Sequence, residues 1–490
     1  MSDDPETGLD PKDWAAFRKT AHALLEAAID KMEQAREGRV WTPFPADMKA
    51  AFDQPLPAEG LDDSALAGRL AELLPYGVGN THPRFFGWVH GSGTPQNLLA
   101  EIAGAAINAN AGGRDHGAIH VERQVIRWCR ELFGFPETAS GLIVSGTSLA
   151  TVVALKVARD VRLGFATRKT GLSGARLVGY ASAEAHACNP RAFDILGLGA
   201  DALRKIPVND RFEMDTAALR AAIAADRAGG FEPFVIIGTA GTVNAGATDP
   251  LTELADIASA EQLWFHVDGA FGALGILVPD LAPRFSAIAR ADSLAFDFHK
   301  WLHVNYDAGC VLVRDGTQHR HAFTDRPDYL QAATRGLAAG NPWPVEYGPE
   351  LSRSFRALKV WSQIAGFGTG RLGAAIAENC AQAAYLAGKV AADHRLELMA
   401  PVALNICCFR YVGSDVEANA RDALNEEIVI RLQERGVAAP STTRLRGSTV
   451  IRVNLTNHRT TTGDLDLLLA EILVLGEDAD VRGFAARNRT

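Results

Sequence analysis

The chain has 490 residues, 47% of them apolar and 22% charged, with a formal net charge of -9. That is enough apolar material to bury large cores in two or three domains, and an acidic balance with both signs mixed argues against a nucleic-acid binder, which needs a basic face. No apolar run approaches the roughly 18 residues of a transmembrane helix, the opening MSDDPETGLD is unlike a signal peptide, and the cysteines form no C-x-x-C pair, so reduced thiols and a cytoplasmic location are expected.

Asp13 is placed to cap a helix that sets Trp14, Phe17, Leu24, Leu25, Ala28 and Met32 on one stripe and stops at Gly38. So wide a stripe has few apolar neighbours in sequence, and the arm is expected to pack on another subunit. The proline-spaced residues 41–61 read as an extended connector, and a second helix follows near Asp63 to Leu74. Residues 81–99, THPRFFGWVHGSGTPQNLL, gather aromatic side chains beside glycines; they read equally as a pocket lining and as a core packed round a turn.

Leu142, Ile143 and Val144 predict a buried strand, Ser145 to Ser148 a turn of small residues, and Leu149 to Arg159 a helix. A strand, small turn and helix can hold an anion, because unpaired amides and aligned peptide dipoles favour negative charge at a helix N-terminus. Gly146 to Ala150 is also a near match to the G-x-S-x-G elbow of serine hydrolases. Strands follow at Leu177 to Tyr180 and Phe234 to Gly238, and His186 stands between them; an isolated histidine is usually a satisfied core or surface residue. Gly197-Leu198-Gly199 mimics a dinucleotide fingerprint but lies between a helix and a strand, the wrong order. His116 with His120, and His299 with His303, have helical metal spacing without an obvious third ligand, so no metal is expected.

The most informative stretch is residues 264–301, WFHVDGAFGALGILVPDLAPRFSAIARADSLAFDFHKW. Trp264 to Val267 predicts a strand that ends at Asp268, and Ser293 to Phe296 predicts another that ends at Asp297 and leads into His299, Lys300 and Trp301. Ligands in α/β sheets bind beyond the carboxyl ends of the strands, so Asp268 and Lys300 are expected to project into one crevice. Taken alone, such a pair is more often a buried ion pair. Its chemically specific use is with pyridoxal phosphate (PLP): the lysine forms a Schiff base with the aldehyde and the aspartate keeps the pyridine nitrogen protonated.

Regular alternation of strands and helices from about Leu142 to Val313 predicts a mostly parallel sheet. The glycine- and proline-containing residues 324–350 show little periodicity and are expected to form a lid, with Tyr329 in it. After LSRSFRALKVW (residues 351–361) and a helical connector, the remainder predicts a small α+β domain, with Arg452 in STVIRVNL.

HVDGAFG followed by ADSLAFDFHKWLHVNYDAG closely resembles the group II PLP-dependent amino acid decarboxylases of the aromatic-L-amino-acid decarboxylase type, and the resemblance runs through most of the chain. It implies an α/β, fold-type I (aspartate aminotransferase-like) protein. Residues 1–92 would be a helical arm that clasps the partner of a homodimer, 93–363 a large PLP-binding domain with a mostly parallel sheet, and 364–490 a small α+β domain. Carried over residue by residue, it implies that Lys300 holds pyridoxal 5'-phosphate covalently, Asp268 binds the pyridine nitrogen, Ala270 lies under the ring and His186 stacks on its open face. Gly146, Thr147, Ser148 and His299 would meet the phosphate, Thr242 would lie near the cofactor, Ser352 would reach towards the neighbouring subunit's phosphate, and Tyr329 would donate a proton.

The implied reaction releases CO2 from an L-amino acid and leaves the amine, with an aromatic substrate favoured. Positions matching the substrate cavity are Trp88, Val89, His90, Gly91 and Asn110. Trp88 and Val89 suit a ring, whereas His90 and Asn110 leave open an acidic or polar side chain met by Arg114 or His120. Competing readings are an aminotransferase in which Arg452 fixes the substrate carboxylate, a decarboxylating aldehyde synthase and, remotely, a serine hydrolase. The presence of both His186 and Tyr329 favours simple decarboxylation.

Overall fold

The computed structural model describes residues 8–324, 333–413 and 416–487, so Tyr329 lies outside the described residues. A two-residue strand, Phe85–Phe86 (β1), comes first. Seven strands then form one sheet: Ser140–Val144 (β2), Leu177–Ser182 (β3), Leu203–Ile206 (β4), Glu232–Thr239 (β5), Trp264–Asp268 (β6), Ser293–Asp297 (β7) and Gly309–Val313 (β8). Their order is β2-β8-β7-β6-β5-β3-β4. Neighbours from β4 through to β7 are parallel, and β8 runs against both β7 and β2.

The sheet forms here because its central strands are apolar on both faces. Every residue of β3, β7 and β8 is buried, which a strand needs when helices cover both sides. β4, reading LRKI, carries Arg204 and Lys205 at the edge of the sheet and lacks that signature; only Leu203 and Ile206 are buried. The helices Thr147–Arg162, Cys188–Ile195, Thr216–Ala228 and Leu251–Glu261 alternate with strands, as parallel crossovers require.

Leu396–Leu398 (β9), Ile406–Tyr411 (β10), Ala439–Leu445 (β11) and Ser448–Asn454 (β12) form a second sheet with β1, in the order β1-β11-β12-β10-β9. Phe85 pairs with Ala439, so residues 85–86 of the expected arm are strand partners of the C-terminal part. The connector is longer than its sequence pattern indicated. It runs over Arg356–Ala392 and departs from helical geometry at Gly368, whose φ of +68° a glycine adopts without steric cost.

The first helix, Trp14–Glu33, is capped as expected, with the Asp13 carboxylate accepting the amides of Ala15 and Ala16, but it ends before Gly38. None of its residues is buried. Trp14, Phe17 and Ile29 are exposed, as are Leu66 and Leu70 of the Asp63–Glu72 helix and Leu99, Ile102 and Ile107 of the Gln96–Ile107 helix. Among the described residues, no helix is long and apolar enough to cross a membrane, and the six cysteines are all free.

Buried neutral histidines give the fold an acid sensitivity. His319 takes a hydrogen bond from Ser140 Oγ at 2.8 Å on Nδ1 and donates Nε2–H to the Tyr347 carbonyl at 2.8 Å, and burial pulls its pKa down to about 3. Burial likewise pulls His82 and His458 down to about 4. In unfolded chain these imidazoles take up protons near pH 6.5, so the unfolded state binds more protons at lower pH. Stability is therefore complete above about pH 6.5 and lost progressively towards pH 4. Thermal denaturation should give a lower Tm at about pH 5 than at about pH 7; an unchanged or higher value would contradict the buried neutral assignment.

Candidate functional site

The candidate site lies where β6 and β7 end side by side. They are parallel, with Asp268 opposite Ala295, so both stop at the carboxyl rim where α/β sheets bind ligands. Asp268 is buried and held on both oxygens: Asn189 Nδ2 donates to Oδ2 at 2.9 Å and the Ala270 amide to Oδ1 at 3.2 Å. The Cys188 thiol stands 3.8 Å from Oδ2. Neither close donor is charged, and a carboxylate oxygen can accept more than one hydrogen bond, so a further proton-bearing partner can be met.

The carboxylate that touches Lys300 is Asp297. Lys300 Nζ lies 2.9 Å from Asp297 Oδ2, and the lysine side chain is 21% exposed. The direct ion pair that Asp268 and Lys300, taken alone, would suggest is not formed: Asp297, at the end of β7, is only three residues before the lysine, whereas Asp268 accepts from Asn189. Burial opposes the charge on Lys300, but Asp297 and then Asp268 outweigh it, and the amine pKa is raised above its ordinary value. Asp297 sits in the DFHKW motif, so a signal for it was present in the sequence. Asn189 had none.

The N-cap residue of the Thr147–Arg162 helix is Gly146, which has no side chain to cap the terminus, and Asp297 meets the first amide instead. Thr147 is buried, its Oγ1 has no hydrogen-bond partner, and its amide donates to Asp297 Oδ1 at 2.6 Å. Ser148 is exposed and hydrogen-bonds no histidine among the described residues, which removes the support for a serine hydrolase elbow. His299 is nearby: its Cε1 is 3.5 Å from where a Cβ on Gly146 would stand, and its Nδ1 is 2.9 Å from the Ala308 carbonyl. Burial lowers the His299 pKa, with Asp297 pulling the other way from 3.6 Å.

His186 is exposed, and its Nδ1 accepts the Cys188 amide at 3.2 Å, which puts the ring proton on Nε2. Its imidazole lies within electrostatic range of both Asp268 and Lys300. Ala270 is half-buried beside Asp268. Thr242 is buried, and its hydroxyl accepts the Ala247 amide at 3.1 Å, bracing the loop after β5.

A row of rings leads to the lysine. Phe85 stacks on His90 with centroids 5.7 Å apart, Trp88 lies 5.9 Å from His90, His90 5.9 Å from Tyr306, and Tyr306 4.4 Å from His299. Trp88 is 53% exposed whereas Val89 is buried. Gly91 has no room for a side chain, because a Cβ there would run into the His299 and Lys300 carbonyls. Tyr306, in the NYDAG segment, carried no assignment in the sequence reading.

Asn110 is not brought to this row. Its Oδ1 accepts the amides of Gly112 and Arg353, each at 3.0 Å, and it lines a separate cavity of about 640 Å³ with Ser352, Arg114 and Trp343. Arg114 lies over the Trp343 ring at 4.8 Å, and His120 pairs with Asp115 at 2.9 Å. Another cavity, of about 470 Å³, lies between the first helix and Gly91, Thr94, Asn305 and Tyr306; Lys300 and Asp268 line neither. Arg452 is buried, donating to the Trp88 carbonyl at 2.9 Å, and acts as a strut behind the aromatic row.

The donor set suits pyridoxal 5'-phosphate. It comprises a helix N-terminus that opens on Gly146, with a buried Thr147 hydroxyl that has no partner among the described residues, for an anion, a nucleophilic amine for an aldehyde and a fixed carboxylate for a ring N–H. Asp297 is the one group that does not suit a phosphate.

Residues 45–412 match the family model described as the pyridoxal-dependent decarboxylase conserved domain. The chain is 32% identical over 470 residues to the aromatic-L-amino-acid decarboxylase of Bacillus atrophaeus, covering 95% of this chain and 96% of that one. It is 30% identical to the L-2,4-diaminobutyrate decarboxylase of Rhizobium meliloti (strain 1021), covering 93% and 90% respectively. Among solved structures, the glutamate decarboxylase domain of a diaminobutyrate-pyruvate transaminase and L-2,4-diaminobutyrate decarboxylase from Vibrio parahaemolyticus superposes with a TM-score of 0.82 at 25% identity, over 96% of this chain and 97% of that one. Oryza sativa TDC, solved with PLP and tryptamine, superposes with a TM-score of 0.87 at 23% identity, over 96% and 99%, a likeness of fold alone.

Proposed function

The chain belongs to the pyridoxal-dependent decarboxylase family, and from that premise we propose that its substrate is an aromatic L-amino acid. It is a carboxy-lyase of fold type I that uses pyridoxal 5'-phosphate. The single observation that carries the substrate reading is the row of rings from Phe85 and Trp88 through His90 and Tyr306 to His299, beside Lys300. Flat side chains stack well on such surfaces. The side chains that would meet an acidic substrate stand away from this row, Arg114 over Trp343 and His120 beside Asp115. The relative at 32% identity points to the same substrate class.

When bound, pyridoxal 5'-phosphate supplies an electron sink that accepts the bonding electrons of the substrate carboxylate as CO2 leaves. In this reading Lys300 would hold the cofactor through its aldehyde. Asp268, aimed by Asn189 and the Ala270 amide, would hold a proton on the ring nitrogen. Gly146, Thr147, Ser148 and His299 would hold the phosphate, and Thr242, which braces the loop after β5, would lie near the cofactor. His186, its Nδ1 occupied by the Cys188 amide, offers its ring face and Nε2–H to the open side. Trp88, Val89 and His90 shape the substrate wall, and Tyr329 delivers a proton to the α-carbon.

The exposed apolar residues of the first helices support a homodimer, with 1–92 as a clasp on large (93–363) and small (364–490) domains. In such a dimer Ser352 and Asn110, which share a cavity away from Lys300, would serve the partner's site. Free cysteines suit a cytoplasmic location.

Two measurements test this. Incubation with tryptophan, tyrosine and phenylalanine, and separately with glutamate, histidine and 2,4-diaminobutyrate, should give CO2 and amine with kcat/KM at least about tenfold higher for the aromatic set, the scale of a pocket that gains or loses well-packed apolar contact. A higher value for glutamate or diaminobutyrate, or a keto acid without CO2, would reject the reading. Tyr329→Phe should leave CO2 release in place but lower the ratio of amine to CO2, with aldehyde, ammonia and hydrogen peroxide appearing in its stead when dissolved dioxygen is present as the oxidant. A normal amine yield would remove that tyrosine from the mechanism.

A further inference from the structure

We propose that Asp297 is the resting partner of Lys300 and competes with the cofactor phosphate for the N-terminus of the Thr147–Arg162 helix, so that loading the protein requires two Asp297 contacts to break. The inference rests on the cofactor reading above. Asp297 is buried between the two groups in question: Oδ1 takes the Thr147 amide hydrogen at 2.6 Å, and Oδ2 stands 2.9 Å from Lys300 Nζ and 3.6 Å from His299 Nε2. One carboxylate thus bridges the phosphate end and the aldehyde end of the site.

Each contact opposes loading for its own physical reason. The field of a helix terminus falls off within the first turn, and a carboxylate already on the Thr147 amide both satisfies that donor and repels a second anion. Lys300 must release its proton to solvent before its lone pair adds to the aldehyde carbon, after which the carbonyl oxygen leaves as water. An anion at 2.9 Å favours the protonated amine. The other charged and titratable groups that face Lys300 are Asp268 on β6, His299 in its own turn, His90, His186 and Tyr306. Only Asp268 among these is a second anion, and Asn189 holds it away. Asp297 is therefore the group whose charge sets the reactivity of the lysine.

The test uses the full-length protein, stripped of cofactor by dialysis against a carbonyl reagent and then mixed with pyridoxal 5'-phosphate. Growth of the lysine-bound absorbance is followed between about pH 6 and pH 10, a range that brackets ordinary histidine and approaches ordinary lysine. Asp297→Asn keeps an oxygen for the Thr147 amide but carries no charge. It should capture cofactor at least about tenfold faster at neutral pH, with the rising limb of the rate–pH curve displaced downward by about one unit. Orthophosphate should slow its capture more than it slows the wild type. A profile that superimposes on wild type overturns the inference, as does a variant whose Tm falls while its pH profile stays in place. Should Asp297→Asn not fold, Asp297→Ser is read by the same two criteria. Wild-type protein that attaches no cofactor at Lys300 would instead overturn the reading beneath.

Discussion

Replacing Lys300 by alanine is expected to lower turnover by about 10⁴-fold or more, the scale on which removal of a covalent nucleophile acts. Borohydride reduction of the loaded wild type followed by peptide mapping should place the pyridoxyl label on Lys300, and the variant should carry none there. The competing interpretation is structural, because the amine also neutralises the buried Asp297 at 2.9 Å. Lys300→Arg separates the two. It keeps a cation beside Asp297, so Tm should stay close to wild type, yet guanidinium cannot form the imine and turnover should remain as low as in the alanine variant. Appreciable turnover in Lys300→Arg, or a label on some other lysine, would bring the account of this site down.

The second large effect is expected at Asp268. Asp268→Asn preserves shape and leaves a carbonyl oxygen for Asn189 Nδ2, which donates to the native carboxylate at 2.9 Å, but it removes the charge that holds a proton on the ring nitrogen. Turnover should fall by about 10²-fold or more, the usual worth of a positioned acid or base, with little change in Tm. Asp268→Ala should show the same catalytic loss and also destabilise the fold by about 1–3 kcal/mol, because Asn189 Nδ2 then keeps only the His186 carbonyl and its second buried N–H loses its acceptor. Asp268→Asn retaining more than half of the wild-type kcat would exclude the aspartate from the chemistry.

Much of the fold was legible because burial on both faces writes itself into composition. β3 (LVGYAS), β6 (WFHVD) and β7 (SLAFD) are mostly apolar or aromatic, and each ends in a small or acidic residue at the rim. β4 was not singled out because an edge strand buries only part of its length, and Arg204 and Lys205 interrupt the run. The 37-residue helix over Arg356–Ala392 was read as shorter because its five glycines, Gly366 and Gly368 among them, weaken the periodic signal that tertiary packing restores.

The site divides in the same way. Local strand-end chemistry in the HVDGAFG and DFHKW motifs nominated Asp268 and Lys300, a strand–turn–helix pattern nominated an anion site at Ser145 to Ser148, and the family resemblance added His299 and singled out Gly146, Thr147 and Ser148. Which carboxylate meets the lysine was beyond sequence. Asp268 and Asp297 both end strands, and only the register of β6 on β7, together with Asn189 arriving from the Cys188–Ile195 helix, turns one away and leaves the other in contact. The same holds for the aromatic row, which joins Phe85 to Tyr306 across more than 200 positions. Sequence by itself determined the kinds of group available and the order of the elements, because propensity, periodicity and turn chemistry act over a few residues. The tertiary structure alone decided which of those groups touch, because contact between distant strand ends depends on sheet order, register and the packing of helices between them.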